Sequence, residues 1–416
     1  MRIDLTWAYN FFNEKQPLYD QFHNYYTGLH EMFYGKINRC PLLNNLIKST
    51  RENICKPCIE IVCNRLNLAG FNSENKEATD YIKKFFRQNR INSLSKTIHK
   101  DCMIYGDAYI SLWDDGKGIK LYTKNPTHTT VHYNEEGIID CGVSYQFFTD
   151  LENNEFTKVF VYYPDKIYSK IIKGSYFPIS IDVDENDYIK NPFNVVPIFH
   201  FYNSNRQDEF AVSDLIEIIP LQRNLNKTIQ DRAFASEMGA SKQKWIAGIS
   251  LDDAENSMVA QISAGPNKVL TSTDPETRFG EFSESDLSNY TGVIDSIYKS
   301  VACISRIPLH IFNLSNGNFP SGEALKTAES PLNAKIQDRQ VLLGDVYEDI
   351  FKLILERSGF GVIEDLEAIW EDTTPYSENE KIMTASNKIA LGIPENVVFK
   401  ELGYEFDTED KNNEDY

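Results

Sequence analysis

The spacing of apolar residues changes character twice along this chain. In residues 1–71, "QPLYDQFHNYYTGLH" carries Leu18, Phe22, Tyr25, Tyr26 and Leu29 three and four residues apart, which puts them on one helical face. The helical reading continues through "NNLIKSTRENICKPCIEIVCNRLNLAGF", where Pro57 is expected to kink or interrupt it. A second helical stretch is predicted over 74–104. From Ala108 the period drops to two. "AYISLWDDGKGIKLYT" reads as strand, turn and strand, and strand-like segments recur through "TTVHYN", "CGVSYQFF", "KVFVYYP", "KIYSKIIKG" and "PIFHF". Residues 1–210 therefore read as helices followed by a meandering antiparallel β region, an α+β unit.

The second change comes at Ser213. "SDLIEIIPLQRNLNKTIQDRAFASE" aligns Leu215, Ile218, Gln222, Leu225, Ile229 and Arg232 along a seam that contains polar positions, with Pro220 in the first turns. Residues 239–282 return to short strands such as "KWIAG" and "NKVLTST". A second helix is predicted over 285–305, with Ser285 as its N-cap. After the loop "RIPLHIFNLSNGNFPSG" comes a helix of about 36 residues reaching Ser358, roughly 54 Å long at 1.5 Å per residue. Pro331 should kink it. A strand around "EAIWEDTTP" and two short helices split by "LGIP" follow, and the acidic tail "DTEDKNNEDY" reads as disordered. There is no internal repeat.

Charge narrows the function. The 416 residues suffice for two or three domains. Asp and Glu number 61 against 42 Lys and Arg, a net charge of −19. A protein that grips nucleic acid by neutralising phosphates leans the other way, so any contact with DNA is local, weak or repulsive. Apolar runs such as "NVVPIFHF" are too short to span a bilayer, and the N-terminus lacks the apolar core of a signal peptide. Seven cysteines, an odd number, read as reduced thiols of a cytosolic compartment.

Candidate catalytic and metal sites fail on spacing. "DVDEND" offers Asp182, Asp184 and Asn186 at alternate positions. Asp187 stands where a calcium loop needs glycine, and Phe193 where it needs a bidentate Glu. "CKPC" (55–58), with Cys63 nearby, lacks both a preceding strand and a second ligand pair, so these cysteines read as core. His128 and His132 in "HTTVH" share a strand face but have no third ligand. "SLSK" (93–96) has neither companion motif of the acyl enzymes it evokes. Gly116-Lys117 sits in a hairpin turn, and no phosphate-cradling glycine loop occurs. Ser321, beside Gly322, is left as the cap of the long helix, with Glu323 near its positive end. No catalytic residue, cofactor or metal is expected.

The order of segments is the distinctive feature. "YYTGLH", "NRLNLAGF", "YGDAYISLWDDGKGIKLYTKNPTH", "VPIFHFYN" before "SDLIEIIPLQRNLNKTIQDRAFASEMGASKQKWIAG", "SGEALKTAESPLNAKIQDRQVLLGDVYEDIFKL", and "IWEDTTPYSENE" with "ALGIPENVVFKELGY" span nearly the whole chain. This ordered set resembles the portal proteins (head–tail connectors) of tailed bacteriophages, in the branch of the SPP1-type siphophage portals. The resemblance implies a dodecameric ring in the virion, at one capsid vertex, assembled in the host cytoplasm. Residues 1–211 would be the wing, 212–238 and 283–306 the stem helices, and 239–282 the clip. A tunnel loop (307–321), a long kinked helix with a wing return strand (322–376), a short crown (377–405) and the tail (406–416) complete it. Implied partners are double-stranded DNA in the channel, the terminase large subunit, the head–tail adaptor and the major capsid protein, with no membrane.

Within that frame, Asn313, Ser315, Asn316 and Asn318 of the cation-free loop would touch phosphate through weak, exchangeable hydrogen bonds. Lys227, Arg232, Lys242 and Lys244 would either brake DNA or pair with acidic residues of a neighbour, and pairing is favoured. Two other readings stay open: a packaging or nucleotide-binding enzyme of the phage, and a non-viral ring scaffold.

Overall fold

A short strand, β1 (Arg2–Asp4), leads into a 22-residue helix, α1 (Thr6–Thr27). The computed structural model describes residues 1–31, 51–203, 211–240, 244–247, 278–281, 286–312, 322–372 and 378–401. Asp4 starts α1 by accepting the Thr6 backbone N–H at 2.9 Å and its hydroxyl at 2.6 Å. Gly28 ends it in the left-handed region at φ 76°. The buried face is Ala8, Phe12, Tyr19, Phe22 and Tyr25. Phe22 and Tyr25 match the expected face, but Leu18 is exposed because Tyr19 takes its place, and Leu29 lies beyond the glycine turn.

The helical reading of 1–71 fails at both ends. β1 opens the chain, and "NLAGF" forms a strand, β2 (Leu68–Asn72). Between them, α2 (Cys55–Cys63) carries Pro57 in its first turn, where no intrahelical donor is lost, so the proline starts the helix rather than interrupting it. The predicted 74–104 stretch is two helices, α3 (Lys76–Asn89) and α4 (Ile91–Tyr105), divided at Arg90 with φ 52°.

The β region appears where alternation placed it. β3 (Asp107–Asp114) and β4 (Ile119–Lys124) form the expected hairpin. β5 (Thr129–Tyr133), β6 (Ile139–Thr149), β7 (Glu155–Tyr162) and β8 (Lys166–Lys173) meander into an antiparallel sheet. β9 (Ser180–Asp182) pairs with β1, and β10 (Ile189–Lys190) completes the five-stranded order β10-β8-β7-β6-β5. β11 (Ile198–Tyr202) leaves the meander and pairs with β3, making a separate three-stranded sheet β11-β3-β4.

The second half is a helix, a β excursion and a returning helix. α5 (Ile218–Ala240) precedes β12 (Lys244–Ala247), which pairs with β13 (Arg278–Glu281), and α6 (Ser288–Ser305) follows. "NKVLTST" and Ser285 lie outside the described residues. Asp286 caps α6, its carboxylate accepting the Ser288 N–H at 2.9 Å. A 3₁₀ turn (Leu309–Phe312) precedes α7 (Gly322–Leu355), 34 residues long and continuous through Pro331. A π-helical turn with Gly359 at φ 93° ends it. β14 (Glu367–Trp370) then pairs with β2, and α8 (Glu378–Ala390) and α9 (Glu395–Glu401) are the two short helices.

Two cores are joined by α1. Its first half packs Ala8 and Phe12 with Val143, Val159, Val161 and Tyr168 of the five-stranded sheet. Its second half packs Tyr19, Phe22 and Tyr25 into the larger core formed with α2, α4, α5, α6 and α7. In α7, Leu332, Ile336, Leu343, Tyr347, Ile350 and Ile354 are buried at helical spacing, so the portion after Pro331 is a core helix. Fully buried His99 fastens it. Its Nδ1 meets the Leu66 carbonyl at 3.0 Å and its Nε2 the Tyr347 hydroxyl at 3.2 Å. Burial pushes His99 down to about 4 against the Leu66 hydrogen bond, so it is neutral at physiological pH.

Candidate functional site

α5 and α6 pack antiparallel. Asp214, just before α5, and Ser305, at the end of α6, share the Lys335 ammonium. Further along, Asn226 and Tyr298 both reach Glu52. The seam expected from sequence is present: Leu215, Ile218, Gln222, Leu225 and Ile229 are buried, while Ile294, Ile297 and Val301 supply the face of α6. Arg232 is half-buried.

The polar positions in the seam read backbone. Gln222 accepts the Ile54 N–H at 2.7 Å and donates to the Glu52 carbonyl at 2.8 Å. One turn on, Asn226 accepts the Glu52 N–H at 3.1 Å and meets His30 at 2.9 Å. Gln222 and Asn226 thus stitch α5 to the segment leading into α2, a job an apolar side chain cannot do. Gln230 continues the stripe, buried, with neither amide atom hydrogen-bonded among the described residues. Tyr25 stacks on His30 at 4.3 Å and accepts from Arg223 at 2.6 Å, adding α1 to the joint.

At its base the pair is fixed by a buried ion cluster. Asp214 lies 2.7 Å from Lys335 and 3.2 Å from Arg339, both on α7, and accepts from Asn203 at 2.9 Å. Its backbone N–H donates to the Met103 carbonyl at 3.0 Å. Burial raises the carboxyl, but Lys335 and Arg339 outweigh it and hold Asp214 below the ordinary carboxylate value. Asp214 therefore joins the start of α5 to α7 through its carboxylate and to α4 through its backbone. A cavity of about 470 Å³ adjoins it, with Ile216, Ile304 and the Arg306–Asp338 pair, at 3.9 Å, in its wall. Sequence reasoning missed Asp214. The one local signal is the Lys335, Arg339 pair four residues apart on a predicted helix.

The sequence-selected residues are placed as follows. Lys227 pairs with Asp231 one turn along its own helix. Among the described residues, no carboxylate lies within ion-pair distance of Arg232. Lys244 begins β12, opposite Glu281 in the ladder. Lys242, Asn313, Ser315, Asn316, Asn318 and Ser321 lie outside the described residues.

The rejected chemistry acquires physical reasons. Cys55, Cys58 and Cys63 are buried on α2, and burial raises their thiols, Cys58 and Cys63 to about 12, so they stay protonated. The expectation that His128 and His132 share a strand face is wrong. His128 ends a 3₁₀ turn, against Thr127 Oγ1, whereas His132 lies in β5, 2.7 Å from Asp140. Asp184 caps a turn by accepting the Asn186 N–H. No metal-binding group of His, Cys, Asp and Glu occurs among the described residues.

One further network has the makings of a proton relay. Tyr19 donates to Asp107 at 2.5 Å, His200 meets the other Asp107 oxygen at 2.8 Å, and the Tyr133 hydroxyl lies 2.9 Å from His200. Burial raises both tyrosines, with the Asp107 charge adding to it, so neither hydroxyl becomes a nucleophile. The network ties α1 to β3, β5 and β11.

Among the described residues, no helix is long and apolar enough to cross a membrane. The portal protein of Mycobacterium phage L5 is 22% identical over 373 residues, covering 83% of this chain and 74% of its own. That of Mycobacterium phage D29 is 28% identical over 144 residues, and the match spans only 30% of that protein and 33% of this one. Among solved structures, a chain of the virion of a native gene transfer agent particle aligns over 87% of this chain and 93% of its own, at 10% identity and a TM-score of 0.45. The model of the family described as "Phage portal protein, SPP1 Gp6-like" matches residues 66–407, so the chain belongs to that family of phage portal proteins.

Proposed function

We propose that this chain assembles into a closed dodecameric ring at one capsid vertex and forms the channel through which double-stranded DNA is packaged and ejected. The observation that carries the reading is the family match over residues 66–407. The antiparallel α5–α6 pair with a β excursion between its helices supports it. In this reading α5 and α6 are the stem and 239–282 the clip, which meets the terminase large subunit and later the head–tail adaptor. Residues 1–211 are the wing and 377–405 the crown, and the major capsid protein surrounds the ring.

Charge suits a conduit. A chain of net charge −19 repeated around a bore repels a duplex carrying one charge per about 1.7 Å, keeping it centred and mobile. Residues 311–321 contain no Lys or Arg, so Asn313, Ser315, Asn316 and Asn318 offer only neutral hydrogen bonds to phosphate. The Lys227–Asp231 pair favours charge neutralisation within protein over a brake on DNA. Arg232 is assigned to an acidic residue of the neighbouring subunit.

Electron microscopy of purified particles tests the assembly, and monomers, or rings without a through-channel, would refute it. Asn316→Lys and Asn318→Lys should slow packaging while rings still assemble. Unchanged packaging in both would remove the loop from the DNA path.

A further inference from the structure

Just ahead of α7's Pro331, a second carboxylate joins three separate stretches of the chain. Glu329 is 8% exposed. Its Oε2 accepts from Arg65 at 3.1 Å, and its Oε1 lies 3.5 Å from His310 Nε2. Arg65 follows α2, and the same guanidinium nitrogen also donates to Asn333 Oδ1 at 3.3 Å, one turn further along α7. His310 belongs to the 3₁₀ turn after α6. That turn is held on its other side by the Phe312 ring, 5.9 Å from Tyr298 of α6.

We propose that Glu329 is a positioning residue that fixes the Leu309–Phe312 turn against α7, with Arg65 holding the carboxylate in place. This rests on the reading of the chain as a portal channel. Residues 313–321 connect the turn to Gly322, so the separation between the turn and α7 sets the distance they must span. Glu329 controls that distance because its two oxygens serve different masters. One is tied to Arg65, just past α2 in the larger core, and the other to the turn. Pro331, two residues on, lacks the N–H that would lock this part of α7 to the preceding turn, so the side-chain contacts carry the alignment there. The arrangement differs from the Asp214 cluster. Asp214 ties α7 to the start of α5, whereas Glu329 ties it to a short 3₁₀ turn.

The test is a double-variant cycle with two readouts, ring formation and the rate of DNA packaging by motor-driven heads built on each ring. His310→Asn removes the turn's arm and leaves Arg65–Glu329 intact. Glu329→Gln keeps the size and the hydrogen bond from Arg65 but removes the charge that both partners share. Each should still form rings, with Glu329→Gln melting lower than the wild type because it takes the counter-charge from Arg65. At a temperature where all rings stay folded, each should package about fivefold more slowly or worse, the lower range for coupling through one shared contact. The double variant should be no slower than the more affected single variant, because both break the same link.

Equal packaging by wild type and both variants would overturn the proposal, as would slowing that multiplies in the double variant. Should a variant fail to assemble, the other's rings still decide the matter by microscopy. An unchanged position of the Leu309–Phe312 turn relative to α7 refutes the role of Glu329. Failure of the portal reading is distinguishable, since wild-type chain would then make no channelled ring and support no packaging.

Discussion

Asp214→Asn is the most direct test of how the fold holds its helix pair. The asparagine is nearly isosteric and keeps an oxygen for Asn203, but it leaves Lys335 and Arg339 without a counter-charge. Their side chains are only 14% and 16% exposed, and that of Asp214 8%, so water cannot replace the lost partner. Breaking one member of a buried ion cluster costs about 3–5 kcal/mol, against roughly 0–1 kcal/mol for an exposed pair. The exposed Lys83–Asp80 pair, 3.4 Å apart, is the internal control, and Asp80→Asn should change little. Urea unfolding of each variant at neutral pH gives the comparison. Acid should mimic the mutation. Because the cations hold Asp214 below its ordinary 3.8, its stabilisation is fully present above that value and is lost as pH falls through the lowered one. The gap between wild type and Asp214→Asn should therefore be constant from pH 8 down to about 5 and should close only below about pH 4. A loss under about 1 kcal/mol, or a gap that ignores acid, would refute the claim that this cluster fixes the base of α5.

Two other expectations follow from single residues. Burial raises Asp101 on α4 to about 7, offset only by Lys100, so its folded form prefers the neutral acid. That preference stabilises fully below 3.8 and is lost as pH rises through about 7. Asp101→Asn should thus stabilise the protein at pH 8 by up to ~4 kcal/mol and have almost no effect near pH 4 in urea unfolding, and an equal effect at both would refute it. Gly106 has φ +86°, and an added Cβ would sit 2.8–2.9 Å from backbone atoms of Ala211 and Val212. Gly106→Ala should cost about 2 kcal/mol or more, and a loss under about 0.5 kcal/mol would mean that the approach of 211–212 to α4 is easily relaxed.

The local readings that held were those in which one periodicity persisted. The β3–β4 hairpin, the meander β5–β8 and the α5 seam each repeat their pattern over enough residues to fix both the element and its inward face. Where a pattern was short or interrupted, tertiary structure decided. "NLAGF" became β2 because β14, from nearly the other end of the chain, supplies its ladder partners. Arg90 split one predicted helix in two through its left-handed backbone, which no periodicity announces. Gln222 and Asn226 were visible as polar members of an apolar seam, yet what they bind, the backbone of residues 52–54, is distant in sequence.

By itself the sequence determined the α+β class, the elements with a sustained period, the acidic balance and the absence of a catalytic motif, because these depend on composition and on neighbours a few residues apart. The joints were decided only in three dimensions. Asp214 with Lys335 and Arg339, and Glu329 with Arg65 and His310, are ordinary surface-type residues in sequence. They matter because folding takes most of the water from these groups and brings them onto one another, and that condition exists only once distant segments have met.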